Sequence, residues 1–282
     1  MKLLLTSLPS QGFCDSKQDF IEINPLTYKQ LRKYTSAKFE TENEKLIWDI
    51  ECLIQDIQGW EMLSAFDLTS LLFTRRLISA TFEPELKLTY SGQLYKIQVS
   101  DIHFKDMSDD LKRIEAIMIN GQKYIFKIPN IYDYYKVLSY TKGMEEYAND
   151  YSSDIILLSA CLTPETMCRP EDKDYKPDPI MAFKKVSKVI ENATHEDILV
   201  IETILTLLND RLHDVTVLGE GGETAVSLNG LTADIFRLIW LNSGPISERI
   251  ISGEEIPHTN RGPDIKRSEP NDRHDKTNRK ST

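Results

Sequence analysis

The chain is poor in the residues that carry chemistry. It has four cysteines, Cys14, Cys52, Cys161 and Cys168, and no two stand at CxxC spacing. Structural zinc sites and redox pairs are usually built on that spacing, so neither is expected. The four read as reduced thiols, with Cys52 and Cys161 as small core residues. Histidine is as sparse: His103, His195, His213, His258 and His274 make no HExxH or HxH pattern. His195 falls in a capping turn, His213 just past a helix, and His258 and His274 in a polar tail, so each reads as solvated or capping. There is no nucleophile elbow, no Walker-type phosphate loop and no Cys–His motif. The only glycine-rich stretch, Gly219-Glu220-Gly221-Gly222, joins two strands instead of leading into a helix N-terminus, and Glu220 would repel a phosphate. It reads as a hairpin turn. No catalytic residue, metal, cofactor or small-molecule substrate is therefore expected, and the chain does not read as an enzyme.

Positive charge is also short. Lys and Arg number 34 against 44 Asp and Glu, a net charge of −10. Proteins that grip nucleic acid without sequence preference cluster Lys and Arg against the phosphates, so nucleic acid is not an expected partner. Long apolar runs are missing too: none approaches the ~18 residues a membrane helix needs, so no membrane insertion is expected. Met1-Lys2-Leu3-Leu4-Leu5-Thr6 starts like a signal peptide, but Pro9, Gln11 and Gly12 end it at once, and it reads as a strand. Asp109-Asp110 and Glu145-Glu146 read as solvated carboxylates.

What the chain does have is a patterned apolar fraction of 40%, enough for a packed core. Phe20–Ile23 alternates as a strand. Residues 26–34 read as a short helix with Thr27 as N-cap, and residues 44–58 as a longer one with Ile47, Ile50, Leu53, Ile54 and Ile57 inward. Ser64 caps a third helix with Asp67 as its reciprocal partner; Arg75 and Arg76 fall toward its C-terminal end, where cations suit the macrodipole. Strands 85–90 and 93–99 flank Ser91-Gly92. Residues 112–119 and 122–128 form a hairpin about Asn120-Gly121, the strongest local turn signal in the chain. Helices follow at 152–162 and 179–191, separated by a polar, proline-rich surface loop, 163–179. Thr194 caps a helix running to about Leu212, with Ile198, Ile201, Leu205, Leu208 and Leu212 inward. A hairpin spans 214–228, and Leu231–Trp240 is an amphipathic closing segment. Residues 253–282 mix both charges with few apolar side chains and read as a disordered tail.

Two stretches of this walk are alike. Ser64-Ala65-Phe66-Asp67 opens a helix and ribbon, and so does Thr194-His195-Glu196-Asp197. The offset is 130 residues at Asp67 and Asp197 and again at Gly92 and Gly222. Upstream, Tyr28 and Tyr34 match Tyr134 and Tyr140 at an offset of 106. The expected fold class is α+β: duplicated helix–β-ribbon units, 1–128 and 129–252, around a central hairpin, with 253–282 outside them. Such a repeat serves packing or docking and supplies no reactive centre.

The order of elements is that of a known type. Leu8-Pro9-Ser10-Gln11-Gly12 leads to Ile21-Glu22-Ile23-Asn24-Pro25-Leu26-Thr27. An apolar helix ends near Arg75-Arg76-Leu77-Ile78-Ser79, and a hairpin ends in Ile125-Phe126-Lys127-Ile128-Pro129 before the unit repeats. Over residues 3–240 this resembles the baseplate hub proteins of T-even-type contractile-tailed bacteriophages. Many such proteins carry CxxC knuckles in their two ribbons. Here those positions read Thr89-Tyr90-Ser91-Gly92 and Leu218-Gly219-Glu220-Gly221-Gly222, so zinc is not expected. The resemblance implies a structural or assembly protein of the tail baseplate hub, working in the host cytoplasm or within the virion tail. Its partners would be other baseplate and tail proteins. Contacts are expected at the ribbon tips, the 163–179 loop and exposed aromatics, with Tyr90, Gln93, Tyr95, Glu220, Tyr132 and Tyr135 as candidates. The alternative is an acidic adaptor or inhibitor that binds a host protein.

Overall fold

The computed structural model describes residues 1–14, 16–36, 39, 41–79, 85–90, 93–98, 101–142, 144, 153–169, 175–219 and 222–226. The chain divides into a body, Met1–Ser247, and a second unit, Glu248–Thr282, no residue of which is described. The expected closing segment, Leu231–Trp240, and the expected tail, 253–282, lie outside the described residues. The body is α+β, with small antiparallel sheets set among helices.

Strand β1 (Lys2–Leu4) pairs with β2 (Phe20–Glu22), Leu3 opposite Ile21. Helix α1 (Tyr28–Ser36) follows. Thr27 caps it: the Gln30 N–H donates to the Thr27 hydroxyl (3.3 Å) and the Thr27 N–H donates back to the Gln30 side chain (2.9 Å). Helix α2 (Glu42–Asp49) widens into a π turn, Ile50–Ile54. The cause is legible in the residues. Cys52, Leu53 and Ile54 are consecutive and all buried, as are Ile47, Ile50 and Ile57. An α-helical stripe cannot take three successive side chains inward, and a π turn brings them closer to one face.

A 3-10 turn, Ala65–Asp67, runs directly into α3 (Leu68–Ser79). Strands β3 (Glu85–Tyr90) and β4 (Gln93–Gln98) form the first ribbon. Short α4 (Asp109–Arg113) is capped by Ser108, so the expected strand from 112 begins only at Ala116. Burial of Leu111 on that helical turn is the reason. Strand β5 (Ala116–Ile119) then pairs with β6 (Gln122–Phe126). Asn120 and Gly121 have φ of 51° and 71°, the positive values a type I′ turn requires at both central positions. A Cβ at Gly121 meets nothing within 4 Å. Gly121→Val therefore tests backbone strain alone, and we expect it to lower the unfolding free energy by about 1–2 kcal/mol in urea titration.

Helix α5 (Ile131–Thr141) is capped by Asn130, and α6 (Ser153–Cys161) runs straight into β7 (Leu162–Pro164). The proline-rich stretch is thus not all loop. Thr163 and Pro164 add an edge strand to β6, with Pro164 opposite Tyr124. Proline is tolerated there because an edge strand needs no donor on its outer side. Helices α7 (Pro179–Glu191) and α8 (His195–Asn209) complete the helical layer, and β8 (Val215–Gly219) pairs with β9 (Gly222–Val226) as the second ribbon. Helices α5, α6 and α7 pack on one another, and α8 lies across α6 and α4. One apolar core draws on both halves of the chain, from Leu5 and Ile23 through Phe66 and Leu71 to Phe183, Val186 and Ile204.

Candidate interaction surface

The same capping signal has two outcomes. At α8 the Thr194 hydroxyl accepts from the Asp197 N–H and the Asp197 carboxylate accepts from the Thr194 N–H (3.0 Å), a complete capping box. At α3 the Ser64 hydroxyl accepts from the Phe66 N–H, but Asp67 does not reach back. Its carboxylate instead accepts the Ser10 N–H (2.7 Å) and the Ser10 hydroxyl (2.6 Å). The expected reciprocal pair fails because a distant loop takes the carboxylate, with the Ser10 N–H and hydroxyl each donating to one of its oxygens. Both residues are buried, Ser10 at 0% and Asp67 at 1% exposure. Burial pushes the Asp67 carboxyl up to about 6, against the pull of the two Ser10 bonds and the Arg211 charge.

This pair sits where the two halves of the chain cross. The Met107 N–H donates to the Pro9 carbonyl. Lys105 and His213 donate backbone bonds to Arg211 and His103, with Phe104 bridged to Leu212. Arg211 donates to the Thr69 hydroxyl (3.3 Å) and lies over the Phe66 ring. A serine beside a carboxylate could be read as an activated nucleophile. Here no substrate reaches Ser10 without unfolding the joint, so the pair acts as a clamp.

A second departure lies at α3. Arg75 and Arg76 are both buried and do not project from the helix end. The Arg75 guanidinium turns back to the π turn, donating to the Leu53 carbonyl and forking onto Asp56, with Nη2 to Oδ2 at 2.6 Å. Burial works against the Asp56 carboxylate, but the bonds from Arg75 and Gln30 outweigh it and hold its carboxyl below the usual range.

Five of the six expected contact residues are described, and they divide into two places. Tyr132 and Tyr135 stand one turn apart on α5 and converge on Trp60. Both rings meet it edge-on, at centroid distances of 6.0 and 6.3 Å. Trp60 is buried, Tyr135 is half-buried and donates to Glu51, and Tyr132 is exposed, with Lys136 over its ring. Tyr90 and Gln93 oppose each other at the closed end of the first ribbon, and Tyr95 opposes Leu88. Glu220 lies outside the described residues. Strand β4 of the first ribbon lies against β8 of the second, so the ribbons stand together.

Pattern reading missed the exposed apolar surface. Ile198, expected inward, is 41% exposed, and Leu199 and Val200 beside it are also open. Ile201, Ile204 and Leu208 form the inward face of α8. The signal was present: three consecutive apolar residues must leave at least one off any single helical face. Leu4 and Phe20, opposite each other in register, form a smaller outward pair beneath Lys2.

Among the described residues no three His, Cys, Asp or Glu side chains are grouped to hold a metal ion. All four cysteines are free thiols, and Cys52 and Cys161 are buried in the core; burial pushes both thiols up. Among the described residues no helix is long and apolar enough to cross a membrane. No family model, no curated protein and no solved structure matches the chain.

Proposed function

We propose that this protein is a structural or assembly component of a contractile phage tail baseplate hub, working through protein–protein contacts without catalysis. The observation that carries the reading is the repeated order of its elements. A strand pair stands ahead of the first helix of each half: β1–β2, and the central hairpin β5–β6 that closes the first half. A capped helix follows, α1 after Thr27 or α5 after Asn130. Later a second capped helix leads into a ribbon, α3 into β3–β4 or α8 into β8–β9. Strands β3 and β8 begin 130 residues apart, at Glu85 and Val215, the spacing of the caps Ser64 and Thr194. Helix α7 and strand β7 are additions of the second half. The upstream caps lie 103 residues apart, so the tyrosines at 106 are about one helical turn out of structural register. Duplication supports a scaffold that offers two similar sets of ribbons to its neighbours. The protein would act in the host cytoplasm or in the virion tail.

Co-expression with the tail and baseplate proteins encoded alongside it, followed by affinity capture and size exclusion, tests the reading. A stable complex is the expected result. Failure to bind any of them, with normal tails formed in its absence, would end it. Tyr132→Ser is expected to weaken capture by roughly tenfold, as loss of an exposed aromatic anchor does. Because Tyr132 is a surface residue, the unfolding free energy should move by less than about 1 kcal/mol.

A further inference from the structure

The three-stranded sheet has two edges, and they are finished differently. Strand β7 carries Pro164 on its edge, and proline spoils a strand for further pairing. Strand β5 reads Ala116-Ile117-Met118-Ile119, with no charge and no proline. Among the described residues no strand pairs with its other side. The direction of its backbone groups follows from the register. The Phe126 N–H donates to the Glu115 carbonyl (2.9 Å), and the two-residue turn makes Ile119 and Gln122 the closing bonded pair. Glu115, Ile117 and Ile119 therefore bond to β6. Ala116 and Met118 turn their N–H and C=O groups to the open side.

Helix α8 runs beside that side. At one end the Asn120 N–H donates to the Asp197 carboxylate (3.2 Å), and the Asn120 side-chain amide donates to the Asn192 carbonyl (3.1 Å). At the other end Val200, Thr203 and Ile204 face the Arg113–Ile117 segment across a shallow groove of about 580 Å³. From Asp197 to Ile204 the helix rises about 10 Å, and from Asn120 back to Ile117 the strand covers about the same distance. Helix and strand thus run side by side in opposite directions. The groove is apolar within: Ile117 and Ile204 are buried, and Val200 is 39% exposed. Thr203 adds a methyl group, because its hydroxyl is spent on the Leu199 carbonyl (2.8 Å). Arg113 and Glu115, both exposed, leave one charge of each sign at the rim.

We propose that this groove takes an extended segment of another protein, which pairs with the open side of β5 as a fourth strand of the sheet. Two features select that occupant. A row of outward N–H and C=O groups is matched by another extended backbone, whereas a helix keeps its own groups bonded internally. The apolar interior asks for apolar side chains at alternate positions, and the rim for an acid that reaches Arg113 and a base that reaches Glu115. A second copy of this chain does not fit. Each copy carries α8 along the same edge, so two copies meet helix to helix before their strands can pair. The surface does not depend on which assembly the protein joins.

The probe is a displayed library of random peptides about ten residues long, the upper end of strand lengths, selected against the full chain. Binders with alternating apolar residues are the expected result. Val200→Glu, a change at an exposed residue, should weaken them by roughly tenfold or more and leave the urea midpoint nearly unchanged. Thr203→Lys serves as the second variant should the first disturb the fold. Amide hydrogen exchange then locates the peptide. The Ala116 and Met118 N–H groups should exchange fast in the free chain and at least about tenfold slower in the complex. Selection of no peptide, full binding by both variants, or unchanged exchange at these two amides overturns the proposal. So does slow exchange there in the free chain, which would mean that the chain covers the edge itself.

Discussion

Asp67→Asn is expected to make this protein more stable at pH 7. The usual direction for a carboxylate with two hydrogen-bond donors is the reverse. Here burial dominates: the Asp67 carboxyl is pushed from its ordinary 3.8 to about 6. A shift of that size corresponds to about 3 kcal/mol of penalty on the ionised form in the folded protein. The sign follows from proton binding. Between about 4 and 6 the folded state holds a proton on Asp67 that the unfolded state has released, so stability falls as pH rises through this window. Asparagine never ionises, and it preserves the geometry. Its amide oxygen can accept the Ser10 N–H, and its amide nitrogen can donate to the Ser10 hydroxyl. Denaturant titrations of both proteins from pH 4 to 7 are the check. The difference between them should be small near pH 4 and grow in favour of Asp67→Asn, by up to about 3 kcal/mol near pH 7. A flat difference, or a variant weaker at pH 7, would show that the Ser10 bonds and Arg211 outweigh burial. Asp56 works the other way. Its carboxyl is held below the usual range, so its contribution is present above pH 3.8 and lost as pH falls further. The two groups together favour mildly acidic conditions.

Arg75→Ala is expected to cost about 3–5 kcal/mol, the other large effect. Arg75 heads the largest fully buried side chains, and its guanidinium ties α3 to the π turn through the Leu53 carbonyl and Asp56. The ion pair is the smaller part of this. The Asp56 side chain is 49% exposed, so water screens the pair and rehydrates the carboxylate once the arginine is gone. What cannot be rehydrated is the Leu53 carbonyl, whose residue is 0% exposed, and the volume the side chain filled. Arg75→Met separates the two causes. It keeps most of the packing and still strands the carbonyl, so it should cost about 1–3 kcal/mol. Urea midpoints with unchanged slopes would report both values. If alanine and methionine cost the same, packing contributes nothing at this site.

The π turn shows how far pattern reading goes. Ile47, Ile50, Leu53, Ile54 and Ile57 can be picked out as the inward stripe from spacing alone, and all five are buried. That the helix widens to admit Cys52 as well is a packing outcome. The Asn120-Gly121 turn was legible for a better reason: positive φ at two successive residues is a demand that few dipeptides meet, so the signal is local and complete. The neighbourhood of two tyrosines was equally readable. Tyr132 and Tyr135 do share a side of α5, because residues three apart on a helix are neighbours. Their common partner, Trp60, lies some seventy residues earlier in the chain, and no local rule joins them.

Local chemistry alone set most of the helices and both ribbons, the caps at Thr27 and Thr194, the turn at Gly121 and the α+β class. Each depends on interactions spanning a few residues, which the chain carries wherever it sits. Asp67 marks the limit. Its spacing from Ser64 is that of Asp197 from Thr194, and an isolated peptide would offer both the same box. Folding placed Ser10, fifty-seven residues away, against one of them, with two donors in a buried setting. Long-range assembly chose the partner there, as it chose the inward turn of Arg75 and the edge place of Pro164. In each case the deciding contact came from a segment distant in sequence, which spacing along the chain does not encode.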